Sequence, residues 1–229
     1  MTDAQARRLW DRARVVDPGE RIVEIGSFRG RSAIVLARAA ARGVEMVAID
    51  PHAGSDRGPQ EIEADHVTGE GDFEVFHHNL RRAGVADRIT HLRSLSAEAL
   101  SEVDSPVALL YIDGAHRYGP ARADIHDWGS KIAPHGTMLI HDSFSSVGVT
   151  FAILGELGTG ASFRYVGRVG SLAEYQRTPP HGRARLANAL RQVGQLPWFA
   201  RNVVIKALIL AHLTPLTRLL GHRGGQWPF

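Results

Sequence analysis

Acids and histidines recur in this chain at a few places, each just after or within a short apolar run. Asp113-Gly114-Ala115-His116 closes the run Val107-Ala108-Leu109-Leu110-Tyr111-Ile112, and His141-Asp142 closes residues 137–140. Glu24 lies in Ile22-Val23-Glu24-Ile25, which leads straight into Gly26-Ser27-Phe28-Arg29-Gly30-Arg31-Ser32. Asp50 ends the run 45–49, and Ser94-Leu95-Ser96 follows residues 88–93. A carboxylate can hold a cation, and a neutral imidazole with an ordinary pKa of about 6.5 can accept a proton near neutrality. Asp113 and His116, on one turn, can serve those two roles side by side. Blander readings stand beside these: a surface loop histidine, a surface acid after a strand, a plain strand-to-helix turn. Two or three such placements could arise by chance. Five are harder to dismiss.

These groups meet only if the apolar runs form one sheet. Five strand–helix units followed by two strands predict an α/β, Rossmann-like, doubly wound seven-stranded sheet. Its last strands, 163–166 and 171–175, pair as a hairpin around Gly167–Gly170. In an open sheet of this kind ligands sit beyond the carboxyl ends of the strands, where all five segments fall. Gly26 and Gly30 allow a sharp turn and a close backbone approach to a ligand. The helix that follows, residues 32–42, opens with unpaired N–H donors facing that turn. The glycine spacing does not supply the G-x-G-x-x-G dinucleotide fingerprint. Asp50 lies about 20 residues further on, the spacing at which an acid meets a ribose hydroxyl pair. Residues 51–71, with glycines at 54, 58, 69 and 71, read as a cover over the ligand. Helices are expected at 2–16, where Thr2 and Gln5 have capping-box spacing, and at 72–83. A further helix carries Ala121, Ile125, Trp128 and Ile132, and Pro134-His135-Gly136 turns the chain into the strand 137–140.

The chain has 229 residues, 44% hydrophobic and 22% charged, enough for one domain with a real core. Without cysteine, disulfides and thiolate metal sites are excluded, which suits a reducing cytoplasm. The start, Met1-Thr2-Asp3-Ala4, lacks a basic-then-apolar leader, and no run of about 20 apolar residues is present. The net charge of +3 conceals a split. Residues 175–229 hold eight Arg and Lys and no carboxylate, whereas the preceding 174 residues hold 19 basic and 24 acidic side chains. An acidic body argues against a nucleic-acid partner, as does the lack of an N-P-P-Y-like segment after the fourth strand.

The pattern Glu24-x-Gly26-Ser27-x-x-Gly30-x-Ser32 resembles the first motif of class I S-adenosylmethionine (SAM) methyltransferases. Asp113-Gly114-Ala115-His116 together with His141-Asp142 resembles the Methyltransf_24-type metal-dependent O-methyltransferases, over about residues 20–175. That group includes macrolide-sugar, cephamycin-pathway and rhamnosyl enzymes, with catechol-type enzymes more distant. The resemblance implies that Glu24, Gly26, Ser27, Gly30, Ser32, Asp50, Ser94, Ser96 and Asp113 line the SAM site. It further implies that Asp113, His141 and Asp142 bind Mg²⁺, and that His116 removes the acceptor proton with Asp113 as its catalytic partner. The histidine departs from the pattern, which usually has Glu or Asp there. Imidazole suits Mn²⁺, Zn²⁺ or Fe²⁺ better than Mg²⁺, so another metal, an outer position for His141, or weak metal binding all stay open. The implied activity is SAM-dependent O-methylation of a sugar or glycoside hydroxyl. Catechol or polyketide acceptors, and a SAM-binding module without catalysis, are the alternatives.

The chain divides into a catalytic domain, residues 1–178, and a basic helical extension, residues 179–229. In the extension, 183–193 and 198–213 read as helices broken by Gly194 and Pro197. The extension is expected to pack on the body or on a second subunit of a dimer, away from the chemistry, or to lie on a membrane surface.

Overall fold

The computed structural model describes residues 1–55, 63–104 and 106–222. Seven strands form one sheet: β1 (Arg21–Ile25), β2 (Glu45–Ile49), β3 (Ile89–Leu92), β4 (Val107–Ile112), β5 (Ile132–Ile140), β6 (Arg164–Val169) and β7 (Leu172–Gln176). Their order is β3-β2-β1-β4-β5-β7-β6, with β1 to β5 parallel and β7 antiparallel to both its neighbours. The doubly wound sheet and its closing hairpin are as the sequence predicts. The strand order reverses between β1 and β4, and that crevice is where this architecture binds ligands.

Eight helices are described: α1 (Asp3–Ala13), α2 (Arg31–Ala39), α3 (His66–Ala83), α4 (Ser96–Ala99), α5 (Tyr118–Lys131), α6 (Val147–Leu157), α7 (Arg183–Val193) and α8 (Leu196–Leu210). Successive strand residues point to opposite faces, so each central strand feeds two cores. Val23, Ile25, Leu110, Ile112 and Met138 pack with Trp128 of α5 and Ile153 of α6. Ile22, Met46, Leu109 and Leu139 pack on the other face with Leu9 of α1, Leu36 of α2 and Phe76 of α3. Helix α1 therefore pads the sheet. Its Thr2–Gln5 capping box forms, and buried Glu174 of β7 pairs with Arg8 and, at 2.8 Å, with Arg12. Trp10 of the expected apolar stripe stays exposed, and Gln5 is buried instead, donating to Ser171 Oγ at 3.1 Å.

Three boundaries differ from the sequence reading. Helix α3 starts at His66, capped by Asp65, and not at residue 72. Gly69, read there as a loop signal, is a packing residue: a Cβ on it would stand 2.1 Å from the His52 carbonyl oxygen. The remainder of the expected cover, residues 56–62, lies outside the described residues. Strand β5 starts at Ile132, absorbing Pro134-His135-Gly136 as an irregularity with His135 at φ 66° and a register shift opposite β4. Pro197 sits in the first turn of α8, where no intrahelical N–H bond is lost, so it begins the helix and does not break it.

Candidate cofactor and catalytic site

The turn after β1 is built for close approach. Gly26 has φ 84°, and a Cβ on it would lie 2.2 Å from the Asp113 carbonyl oxygen. Only glycine lets the end of β1 sit this tightly against the end of β4. Gly30, at φ 82°, then opens α2. Asp50 cinches the turn from β2: its carboxylate accepts the Phe28 N–H at 2.7 Å and the His52 N–H at 2.8 Å. A carboxylate has further lone pairs, so a ribose hydroxyl can still be accepted there. Arg29 is engaged by buried Asp72 of α3 at 2.9 Å, which gives it a structural role.

Glu24 is wholly buried beneath this turn. Burial pushes its carboxyl up to about 8, against the lowering influence of Ser32 and Ser27. Between about pH 4.5 and 8 the folded protein thus holds a proton that the unfolded chain has lost, so stability must fall as pH rises through that window. The full effect is at most about 5 kcal/mol. Glu24→Gln, which keeps the shape without the charge, is expected to flatten the dependence of Tm on pH. An unchanged pH profile in the variant would contradict a protonated Glu24.

At the ends of β4 and β5 four groups converge. Asp113 Oδ2 accepts the hydroxyl of buried Tyr111 at 2.8 Å, and Asp113 Oδ1 lies 3.1 Å from His141 Nδ1. Asp142 Oδ2 lies 2.7 Å from His116 Nε2 and 3.5 Å from His141 Nδ1. Burial disfavours the His141 cation, but Asp113 and then Asp142 outweigh it and push the imidazole up to about 10. Asp142 is likewise desolvated, yet His116 and His141 hold it well below the usual carboxylate range. Asp142 Oδ1 and His141 Nε2 are buried without a hydrogen-bond partner among the described residues. One ligand atom each from Asp113, His141 and Asp142 lie within 4.8 Å of one another. A narrow cleft lined by Asp113, His116 and His141, together with apolar Ile112, Ile125 and Val149, lies beside them and has room for about one water molecule.

The remaining expected residues are more scattered. Ser94 Oγ is buried with no hydrogen bond among the described residues. Ser96 is occupied on the far side: its hydroxyl donates to Asp124 of α5 and its carbonyl accepts from Trp128. Sequence reasoning missed His52, buried at φ 48°, whose Nε2 is 2.8 Å from the Phe28 carbonyl and buttresses the glycine turn. Its position two residues after Asp50 was the available signal. Also missed were contacts from the basic extension. Asn202 Nδ2 donates to the Phe144 carbonyl at 3.3 Å and Lys206 Nζ to that of Ser145 at 2.8 Å. These brace the segment after His141-Asp142, in which Asp142 and Phe144 both have left-handed φ values. The extension packs on the body, as one expectation had it, but it touches the loop that carries the site.

Residues 23–143, a little over half the chain, match the family described as a methyltransferase domain, and the chain belongs to that family. Its fold is that of class I methyltransferases. The O-methyltransferase TomG from Streptomyces achromogenes, in complex with SAM, aligns with a TM-score of 0.58 at 19% identity, covering 78% of this chain and 81% of that one. An O-methyltransferase from Bacillus cereus, in complex with SAH, aligns with a TM-score of 0.58 at 19% identity, covering 78% and 82%. In sequence, the chain is 29% identical over 188 residues to the uncharacterized protein y4gI of Sinorhizobium fredii (strain NBRC 101917 / NGR234). The match covers 78% of this chain and 20% of that protein, so the chain spans about a fifth of its length.

Proposed function

We propose that this domain transfers the methyl group of SAM to a hydroxyl oxygen of a small polar acceptor, a sugar or glycoside in the first instance. The observation that carries this reading is the convergence of Asp113, His116, His141 and Asp142 at the strand ends, directly against the Gly26 turn. When bound over that turn, SAM would supply a methyl group on a sulfonium, its C–S bond electrons passing to sulfur on transfer to the acceptor oxygen. His116 is placed to take the hydroxyl proton. Asp142, 2.7 Å from His116 Nε2, orients the imidazole and stabilises the cation it becomes. Holding the two reactants in line at the strand ends can contribute several kcal/mol.

Asp113, Asp142 and His141 form a mixed oxygen and nitrogen donor set, and the orphaned Asp142 Oδ1 supports a ligand there. The set fits Mn²⁺, Fe²⁺ or Zn²⁺ better than Mg²⁺. Such an ion would lower the pKa of an acceptor hydroxyl and fix its pose. His141 must lose its proton before it can ligate, so Mn²⁺ affinity is expected to rise about tenfold per pH unit below pH 10. His141→Asp should remove that slope and favour Mg²⁺. Mg²⁺ binding to the unaltered protein as tightly as Mn²⁺, without a pH slope, would remove His141 from the ligand set.

A polar acceptor is preferred to a catechol or polyketide because aromatics near the site are few: Phe144 is buried, while Phe28 and Tyr118 are exposed. Incubation with SAM and a panel of glycosides and catechols, read by mass spectrometry, tests this. Methylated glycosides are the expected product. Turnover of catechols alone would overturn the acceptor assignment, and SAM binding without turnover of any acceptor would favour the non-catalytic module.

A further inference from the structure

Helix α7 of the basic extension is packed the opposite way from an ordinary amphipathic helix. Helix α7 turns Asn188 and Gln192 inward, one turn apart and both buried. There Asn188 accepts the Tyr165 N–H at 2.7 Å, and Gln192 donates to the Leu157 carbonyl at 3.1 Å. The opposite side of the same helix presents Leu186, Leu190 and Val193, all more than half exposed. Helix α8 packs Trp198, Phe199 and Ile205 on the body and buries Asn202 against the Phe144 carbonyl, yet leaves Val204 and Leu210 outward. The turn that follows exposes Leu213, Leu216 and, at 84%, Leu219. Of the eighteen exposed large apolar side chains among the described residues, eight fall in the 34 residues 186–219. So many exposed apolar side chains within so short a segment are unusual for a surface that faces only water.

Charge selects the occupant. Exposed Arg183, Arg185, Arg191 and Arg218 are interleaved with these leucines, and no carboxylate occurs after Glu174. A second copy pairing through this face would set like charges against each other. A nucleic acid would answer the arginines and leave the leucines in water. We propose that the outward face of residues 183–220 docks on an anionic lipid surface, the leucines entering the headgroup boundary and the arginines meeting the lipid phosphates. Among the described residues no helix is long and apolar enough to cross a membrane, so the contact is peripheral. Because α8 also braces the segment after His141-Asp142, the docked face and the candidate site share a helix.

The test is co-sedimentation of the full chain with vesicles of phosphatidylcholine alone and of equal parts phosphatidylcholine and phosphatidylglycerol. Binding is expected to be roughly tenfold or more stronger to the anionic vesicles, and to weaken as added salt screens the arginines. Combined Leu186→Ser, Leu190→Ser and Leu219→Ser, at exposed positions, should lower it about tenfold with an unchanged unfolding curve. Arg183→Glu with Arg191→Glu should abolish the preference for anionic lipid. Absence of binding to either vesicle, equal binding to both, or serine variants that bind as well as the unaltered chain would overturn the proposal. So would sedimentation of the lipid-free chain as a dimer that those serines dissociate. None of these readings depends on SAM or on an acceptor.

Discussion

Gly26→Ala is expected to destabilise the domain by about 3 kcal/mol and to abolish SAM binding at ordinary cofactor concentrations. Two costs add at this residue. An alanine at φ 84° is strained, and its Cβ would sit 2.2 Å from the backbone oxygen of Asp113, where no flexible side chain can give way. Relief requires β1 and β4 to part at the crevice where both halves of the site meet. Gly71→Ala is the internal control. It lies within α3 with nothing among the described residues within 4 Å of an added Cβ, so the better helix former should stabilise by about 0.5–1 kcal/mol. Chemical denaturation of the two variants reads both effects. Equal and small effects would contradict the tight abutment of the two strand ends.

His116→Ala should lower turnover roughly 10²–10⁴-fold and leave SAM affinity nearly unchanged, with some loss of Tm because buried Asp142 loses a partner. The ring reaches Asp142 and the cleft, and it is not part of either apolar core. His126→Ala is the matched comparison. That side chain is two-thirds exposed on α5, pairs with Glu156 at 2.9 Å, and should leave turnover unaffected. Steady-state rates with any accepted glycoside would separate the two. Full activity in His116→Ala would move the proton acceptor elsewhere.

Much of this was legible in the sequence, for physical reasons that differ from element to element. The nearly unbroken apolar run 107–112 could only be a strand covered on both faces, and residues ending such strands had to share one edge of the sheet. The capping pair Thr2 and Gln5 announced α1 because its hydrogen bonds are local. Long-range packing was not legible. Gly69 looks like a helix breaker until His52 is seen against it, and the ends of the cover gave no sign that α3 begins at His66. Helix α6, apolar nearly all round, carries no period from which to read a face. In α7 the leucine stripe points outward, whereas a periodicity argument puts leucines inside. The inward amides are chosen by unpaired carbonyls at Phe163 and Leu157 that no local pattern reveals. In the site, residue types and strand ends were readable, but not the 3.1 Å approach of His141 to Asp113 that makes its imidazole a cation.

The central claim is that the Gly26 turn, Glu24 and Asp50 form a SAM site beside the Asp113–His116 pair. Calorimetric titration of SAM, and separately of NAD, into the metal-stripped protein tests it most directly, with a repeat after adding Mn²⁺ or Mg²⁺. The account predicts SAM binding of micromolar strength without metal, a separate heat for Mn²⁺, and no heat for NAD. SAM that fails to bind under every condition, or NAD that binds in its place, would contradict it.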